Sequence, residues 1–431
     1  MIFFLLYLSL MVTINLEGIE YPDFDVIIDN DPYPEDIFIH STASDNQFMA
    51  ILDSNLEVKW YIVSTDAKGW DFKVNNNNKL TYFRKPSNGW TPSGGGLWYV
   101  TDENMSEIDT LECVNGFEAD YHDIQYTQDG GYILQAYAKQ EIDMPQTEEI
   151  DTANVLILQE FDQDHNLLME WKNFNHMNIQ DYADALNLNS NYRNWMHGNS
   201  IEIDDDQNII VSNRAMSELI KFNSQSGELI WRLGGPMNDF TFIDDPLQGP
   251  NRQHDARRLD NGNIMIFDNG DQRDVPHTRV TEYQVDEEQM TATLVWSYSH
   301  PDEYISMNQG CSQRLENGNT LISWGGVPGH GAIITEINYS GERVLELEYP
   351  MTNTSYKVRK SGWAFNINLM ELDLNLDGNI DIFDIIGIVN FILLGQDPDF
   401  FHLYKSDFNK NGDVDIEDIL LAIDLILLDI D

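Results

Sequence analysis

The sequence predicts an all-β, six-bladed β-propeller followed by a small all-α domain. Three observations carry that expectation. Strand–turn–strand runs recur along most of the chain: FKVNNNNKLTYF from Phe72, IQYTQDGGYILQAY from Ile124, IEIDDDQNIIVSNR from Ile201, RRLDNGNIMIFDNG from Arg257 and SQRLENGNTLISWGG from Ser312. They alternate with a second kind of run, whose last strand often ends in an aromatic residue: AILDSNLEVKW to Trp60, LQEFDQDHNLLMEW to Trp171, IKFNSQSGELIW to Trp231, TEYQVDEEQMTATLVW to Trp296 and ITEINYSGERVLELEY to Tyr349. Apolar and polar residues alternate with period two around NG, DG and SG turns, the pattern of antiparallel hairpins.

The N-terminal run MIFFLLYLSLMVTINL is apolar but short for a membrane span. It reads as the h-region of a signal peptide, although no Lys or Arg precedes it and no A-x-A site follows. Residues 1–20 are therefore expected to be an export signal. The mature chain is expected to be secreted, periplasmic or displayed at the cell surface, with no membrane span. Two cysteines, Cys113 and Cys311, do not fix the compartment, and either a disulfide or two free thiols fits them.

Residues 21–355 are expected to form the propeller. One run of each kind makes a four-stranded antiparallel unit of about 40–45 residues, the size of a propeller blade. Six units begin near Phe38, Phe72, His122, His197, His254 and Gly310; the third carries an insertion from Gln140 to Thr152, and Phe174 to Trp195 links it to the fourth. The recurring Trp is expected to pack between blades. Residues 356–368 are read as a linker and 369–431 as the helical domain.

The formal net charge is −49. The last 63 residues hold 15 acidic and 2 basic side chains, so the acidity is spread over both domains. Such a field argues against nucleic acid as a partner, because phosphates would be repelled. Eight of the 12 arginines lie between Arg193 and Arg279. Ion pairing explains any one of them; their clustering also suggests a local anion site.

Three blades begin alike, with HDIQY at His122, HGNSIEI at His197 and HDARR at His254. The innermost strand of a blade lines the central channel, so these imidazoles are expected round one mouth. The sixth unit has Gly310 and Cys311 there. Convergent imidazoles suit acid–base or nucleophilic chemistry, and three can also hold zinc. A non-catalytic propeller that binds a sulfated ligand or glycan is the other reading. Trp195, Tyr121 and Trp324 are candidates to stack on an aromatic ligand.

The tail repeats one twelve-residue loop 34 residues apart, as DLNLDGNIDIFD from Asp373 and DFNKNGDVDIED from Asp407. Oxygen side chains stand at positions 1, 3, 5, 9 and 12, with Gly at 6, where the chain turns sharply. This is the layout of a calcium site. The first loop offers Asp373, Asn375, Asp377, Asp381 and Asp384, with the backbone oxygen of Asn379. The second offers Asp407, Asn409, Asn411, Asp415 and Asp418, with that of Asp413. Apolar helices follow each loop. Asp rather than Glu at position 12 makes the pair resemble the F-hands of a type I dockerin. That resemblance implies two calcium ions and a cohesin-type protein partner, chosen by residues such as Ile382, Phe383, Ile416 and Glu417.

The strings YHDIQ, WMHGNSIEID, IIVSNR, IWRLGG, QHDARRLDNGNIMIFDNG and RVTEY resemble the bacterial arylsulfate sulfotransferase family. The resemblance runs from about Phe38 to Tyr349 and is most specific between Trp195 and Tyr283. It implies transfer of a sulfuryl group from a phenolic sulfate ester to a phenol acceptor through a sulfohistidine, with no nucleotide cofactor such as PAPS. It implies His254 as nucleophile, with His122, His197 and Arg214 as the other channel residues. The chemistry agrees. A neutral imidazole can attack sulfur, a guanidinium can bind the sulfuryl oxygens in two-point fashion, and a His near neutrality can pass a proton each way. Either His122 or His197 fits that last role.

Overall fold

The computed structural model describes residues 22–41, 47–64, 68–85, 95–102, 105, 107–147, 150–187, 189, 191–363, 382–394, 406–407 and 414–428. The N-terminal apolar run lies outside the described residues, as do positions 373–381 of the first twelve-residue loop and 408–413 of the second.

Six sheets, each built on four antiparallel strands, form a six-bladed propeller, and short parallel edge strands extend the third (Tyr192–Arg193) and the fifth (Thr241–Ile243). The second blade is built from Lys68–Val74, Leu80–Arg84, Leu97–Thr101 and Glu107–Leu111. The third comprises Ala119–Tyr126, Tyr132–Asp143, Ile150–Phe161 and Leu167–Lys172; the fourth, Gly198–Ile203, Ile209–Asn213, Glu218–Phe222 and Leu229–Gly234. The fifth comprises His254–Arg258, Ile264–Asp268, Arg279–Asp286 and Thr291–Tyr298; the sixth, Cys311–Arg314, Thr320–Ser323, Ile333–Ile337 and Arg343–Glu348. Asp25–Asp29 adds an outer strand to the sixth blade by pairing with Arg343–Glu348.

The first blade corrects the expected boundaries. Asp36–His40, at the start of the unit placed near Phe38, is its second strand. The innermost strand is Val358–Ser361, which pairs antiparallel with Asp36–His40. Residues 356–361, expected to open a linker, therefore close the ring. The innermost strands of successive blades touch in turn, and Val358–Ser361 joins the sixth to the second.

One turn recurs between the two inner strands of a blade. At Asp260–Asn261–Gly262, Leu259 N–H bonds to Asn263 O at 2.8 Å and Gly262 N–H to Leu259 O at 2.8 Å. Gly262 has φ +82°, a conformation that L side chains resist. The same pair of bonds recurs at Leu315–Asn319, Asp204–Asn208, Thr127–Gly131 and Asn75–Lys79. The aromatic ends of the outer strands pack across blade boundaries, as expected. Trp60 lies 5.9 Å from Phe72, Trp171 stacks 4.4 Å from Phe222, and Tyr349 stacks 5.7 Å from Phe48. Burying each such ring contributes roughly 2–3 kcal/mol, so these contacts hold neighbouring blades together.

Both cysteines are free and buried, on different blades. In the C-terminal segment, helices Ile382–Leu394 and Ile416–Leu428 follow the two loops and meet through Ile385, Ile388, Ile419 and Ala422. Asp384, Asp407 and Asp418 are buried, and Asp418 Oδ2 accepts the backbone N–H of Asp415 at 2.8 Å. The other candidate calcium ligands, Asp373, Asn375, Asp377, Asn379, Asp381, Asn409, Asn411 and Asp413, lie outside the described residues. No helix among the described residues is long and apolar enough to cross a membrane.

Candidate active site

The innermost strands bring the three histidines to one mouth of the channel. His122 lies within Ala119–Tyr126, His197 directly precedes Gly198–Ile203, and His254 opens His254–Arg258. Register shifts mark several of the innermost strands, and two of them coincide with a left-handed residue. One falls between His254 and Arg257, where Asp255 has φ +51°, and another between Trp70 and Lys73, where Asp71 has φ +50°. A bulge of this kind re-aims successive side chains. Here it separates each residue at the mouth from the carboxylate that follows it.

His122 and His197 form a pair. Their Nε2 atoms are 3.1 Å apart and their rings meet edge to face at 5.0 Å. His122 Nδ1 contacts the Asp120 carboxylate, which also accepts the His122 backbone N–H at 3.0 Å. An ionised carboxylate only accepts, so Nδ1 carries a proton. One further proton then lies between the two Nε2 atoms. Burial, with the neighbouring His122 and His254 rings and the Arg214 and Arg252 guanidinium groups, holds His197 well below the usual histidine range.

His254 is held by Asn269. Its Nδ1 lies 2.7 Å from Asn269 Oδ1. The amide orientation follows from its other end, since Asn269 Nδ2 faces three acceptors: Ser306 Oγ at 2.9 Å, Gln309 O at 3.0 Å and Ser306 O at 3.3 Å. Asn269 Oδ1 therefore accepts from His254 Nδ1–H, and the lone pair falls on Nε2. Burial and the Arg214 charge keep the ring neutral by pushing it well below its usual range.

Arg214 sits on a short 3-10 turn, Arg214–Met216. Its Nη2 donates to Met307 O at 2.9 Å and lies 3.7 Å from Asp271, while its Nε has no partner among the described residues. Burial lowers it to about 10, so it stays charged at neutral pH. A neutral imidazole with its lone pair on Nε2, a hydrogen-bonded imidazole pair and a guanidinium with unused N–H capacity thus share one mouth.

The zinc alternative does not fit this geometry. Among the described residues, only His300, Asp302 and Glu346 bring three ligand atoms within 4.8 Å of one another. His122, His197 and His254 do not. At His300, Arg343 Nη1 lies 2.8 Å from Glu346 Oε1 and 3.3 Å from His300 Nε2, which sets a cation there already.

Behind the mouth the channel is closed by matched charges. Lys73 pairs with Asp71 at 2.7 Å and Asp123 at 2.6 Å; Arg257 pairs with Asp123 at 2.7 Å and Asp255 at 2.9 Å; Arg359 pairs with Asp255 at 2.6 Å. Lys357 reaches Asp71 at 3.4 Å and donates to His122 O at 2.6 Å. Burial raises Asp123, but Arg257, Lys357 and Lys73 outweigh it and hold it well below the usual carboxylate range.

Several of these residues were not singled out in the sequence. Asn269 and Asp120 carried only weak signals, an amide in FDNG and a carboxylate two residues before His122. Tyr356 meets His122 edge to face at 5.6 Å and His254 at 6.2 Å. It and Lys357 lie in the stretch read as a linker. The signal was present, because YKVRK set beside HDARR puts Tyr356 at the phase of His254 and Arg359 at that of Arg257. Of the candidate aromatic platforms, Trp195 and Trp324 are fully buried packing residues. Tyr121 alone joins the site, stacked 4.2 Å from His122.

The family model described as Arylsulfotransferase (ASST) matches residues 26–357. The chain belongs to the arylsulfotransferase family. Membership assigns it to sulfuryl transfer, with aryl sulfates and phenols as substrates. The matched span ends at Lys357, inside the segment that closes the ring. No curated protein matches the chain. Among solved structures it is similar to a protein of unknown function from Bacteroides caccae, with 12% identity over 76% of this chain and 99% of that one and a TM-score of 0.48. It is also similar to AztD from Citrobacter koseri, with 10% identity over 77% and 99% and a TM-score of 0.39. A virginiamycin B lyase from Staphylococcus aureus has 11% identity over 76% and 89%, with a TM-score of 0.34.

Proposed function

We propose that this arylsulfotransferase works without a nucleotide sulfate donor, through a sulfuryl group held covalently on His254. The hydrogen bond from His254 Nδ1 to Asn269 carries this reading, because it leaves Nε2 as the nucleophile. The Nε2 lone pair attacks sulfur and the bond from sulfur to the aryl oxygen breaks. The departing oxygen takes that electron pair and a proton from the His122–His197 pair. In the second half, the acceptor phenol gives its proton to the same pair and its oxygen attacks sulfur. The N–S bond breaks and returns its electrons to Nε2. Arg214 offers donors to the sulfuryl oxygens, where charge accumulates in both transition states. Asp120 supports the positive charge on the pair while it holds the transferable proton, before the first half-reaction and again after the second.

Intact mass spectrometry after exposure to p-nitrophenyl sulfate tests the covalent step. The expected result is a gain of one sulfuryl group mapped to His254, absent in His254→Ala. Turnover without the adduct, and undiminished in that variant, would overturn the assignment. Donor left intact after long incubation would instead favour a propeller that only binds sulfated ligands.

For the C-terminal segment we propose a dockerin-like module that folds round two calcium ions and docks to a cohesin-type protein outside the cell. Oxygen side chains at positions 1, 3, 5, 9 and 12 of two loops, with Gly at 6 in each, suit a pair of calcium sites. Asp384, Asp407, Asp415 and Asp418 would be among the ligands. Limited proteolysis of the full chain tests this: EGTA is expected to expose the region after residue 363 to cleavage and calcium to protect it. Equal cleavage under both conditions would count against a calcium-dependent fold.

A further inference from the structure

Ion pairing accounts for seven of the eight arginines between Arg193 and Arg279. Each, from Arg193 on Asp151 to Arg279 on Asp245, has a carboxylate oxygen within 3.8 Å. Arg252 is the exception among the described residues. It has no ion pair, and its solvent-shielded Nε has no hydrogen-bond partner.

The backbone that carries Arg252 is nevertheless held firmly. Arg252 has φ +58°, a left-handed conformation that a residue with a Cβ resists. Its N–H donates to Ser217 Oγ at 3.0 Å, and Ser217 is itself left-handed at φ +58°. Next to it, Asn251 N–H donates to Asp268 Oδ1 at 2.8 Å. Strain sustained by surrounding hydrogen bonds is characteristic of positions fixed for binding.

Arg252 lines a pocket of about 310 Å³. Ala185, Ala215, Met216 and Pro236 supply an apolar wall, and Arg252 and Gln272 a polar one. Ala215 and Met216 continue the same short turn that holds Arg214. The pocket therefore opens one residue beyond the guanidinium that faces the sulfuryl group.

We propose that this pocket receives the aryl ring and that Arg252 pairs with a second anionic group on it, a carboxylate or sulfonate, so that the enzyme selects acidic phenols and their sulfate esters. The inference rests on the sulfuryl-transfer reading. A partly buried guanidinium with no carboxylate in contact, its charge supported only at longer range by Asp271, gains most from a charged partner, and on a chain of net charge −49 a local cation is needed to admit a dianion.

The test uses the full chain and two acceptors that differ in the charge of the para group, 4-hydroxybenzoate and its methyl ester, with p-nitrophenyl sulfate as donor. The quantity read is the ratio of kcat/KM for acid over ester. Arg252→Gln is expected to lower that ratio 10- to 100-fold and Arg252→Lys to retain part of it. An unchanged ratio, whether both rates fall together or neither falls, overturns the proposal. Calorimetric binding of 4-hydroxybenzoate to His254→Ala protein needs no turnover, so it separates this inference from the transfer mechanism. Adding Arg252→Gln is expected to weaken that binding 10- to 100-fold; equal binding, or no binding to His254→Ala alone, overturns it.

Discussion

The two ends of the axial channel are built from the same inner strands and carry opposite chemistry. At the mouth, His254 Nε2 and Arg214 Nε keep hydrogen-bonding capacity without a partner among the described residues. One residue further along, Asp71, Asp123 and Asp255 are each matched by lysine or arginine. The carboxylates also tie neighbouring blades together: Asp123 Oδ2 accepts Ile201 N–H at 2.8 Å and Asp255 Oδ2 accepts Ser312 N–H at 3.1 Å. The comparison teaches that a charged or polar residue lining the pore acts in proportion to what its neighbours leave unsatisfied. The matched set closes the pore and holds the ring; the unmatched set remains available to a substrate.

Substitutions on either side of that divide should separate activity from stability. The largest effect is expected at His254→Ala, a fall in turnover of about 10⁴-fold or more with an unfolding midpoint near that of wild type. A large drop in midpoint would move His254 to the structural side. Next is Asp123→Ala, which strands Lys73, Lys357 and Arg257 around a missing charge. Removing one partner of a buried pair costs about 3–5 kcal/mol, measurable by denaturant unfolding, and a loss under about 1 kcal/mol would show that the rear charges are not mutually dependent.

Asn269 stands between the two sets as a positioning residue. Asn269→Ala should lower kcat about 10- to 100-fold by freeing the other His254 tautomer. Asn269→Asp should move the acidic limb of the pH–rate profile upward, because a carboxylate there favours the imidazolium. A profile unchanged in both variants would remove Asn269 from the mechanism.

The smallest effect concerns His40, an imidazole away from the mouth. It is fully buried, neither ring nitrogen has a partner among the described residues, and burial lowers it to about 3. Unfolded, it takes up a proton near pH 6.5; folded, it does not until far lower pH. Below pH 6.5 the unfolded state binds the extra proton, so this histidine costs stability as pH falls, by roughly 1.4 kcal/mol per pH unit. The stability of His40→Leu relative to wild type should therefore rise between pH 7 and pH 5. A constant difference would mean that His40 is not held neutral.

Much of the site was legible before folding. The phase of His122, His197 and His254 followed from the repeats, and Arg214 from its place in VSNR. The supporting groups were less so. Asn269 is 15 residues from His254 and meets it only because the two inner strands of the fifth blade pair His254 with Phe267. The clustered arginines suggested an anion site, and most of them turned out to be paired with carboxylates. What distinguishes Arg252 is its lack of a partner, which no composition reveals.

The blade repeat, the hairpin turns and the phase of the histidines are written in residues within about ten positions of one another, and local periodicity is enough to read them. Ring closure is different. Val358–Ser361 pairs with Asp36–His40, and Arg257 reaches Asp123 across 134 positions. Which strand completes the circle, which charges cancel and which are left over depend on contacts between distant segments. Only the folded ring brings those segments together.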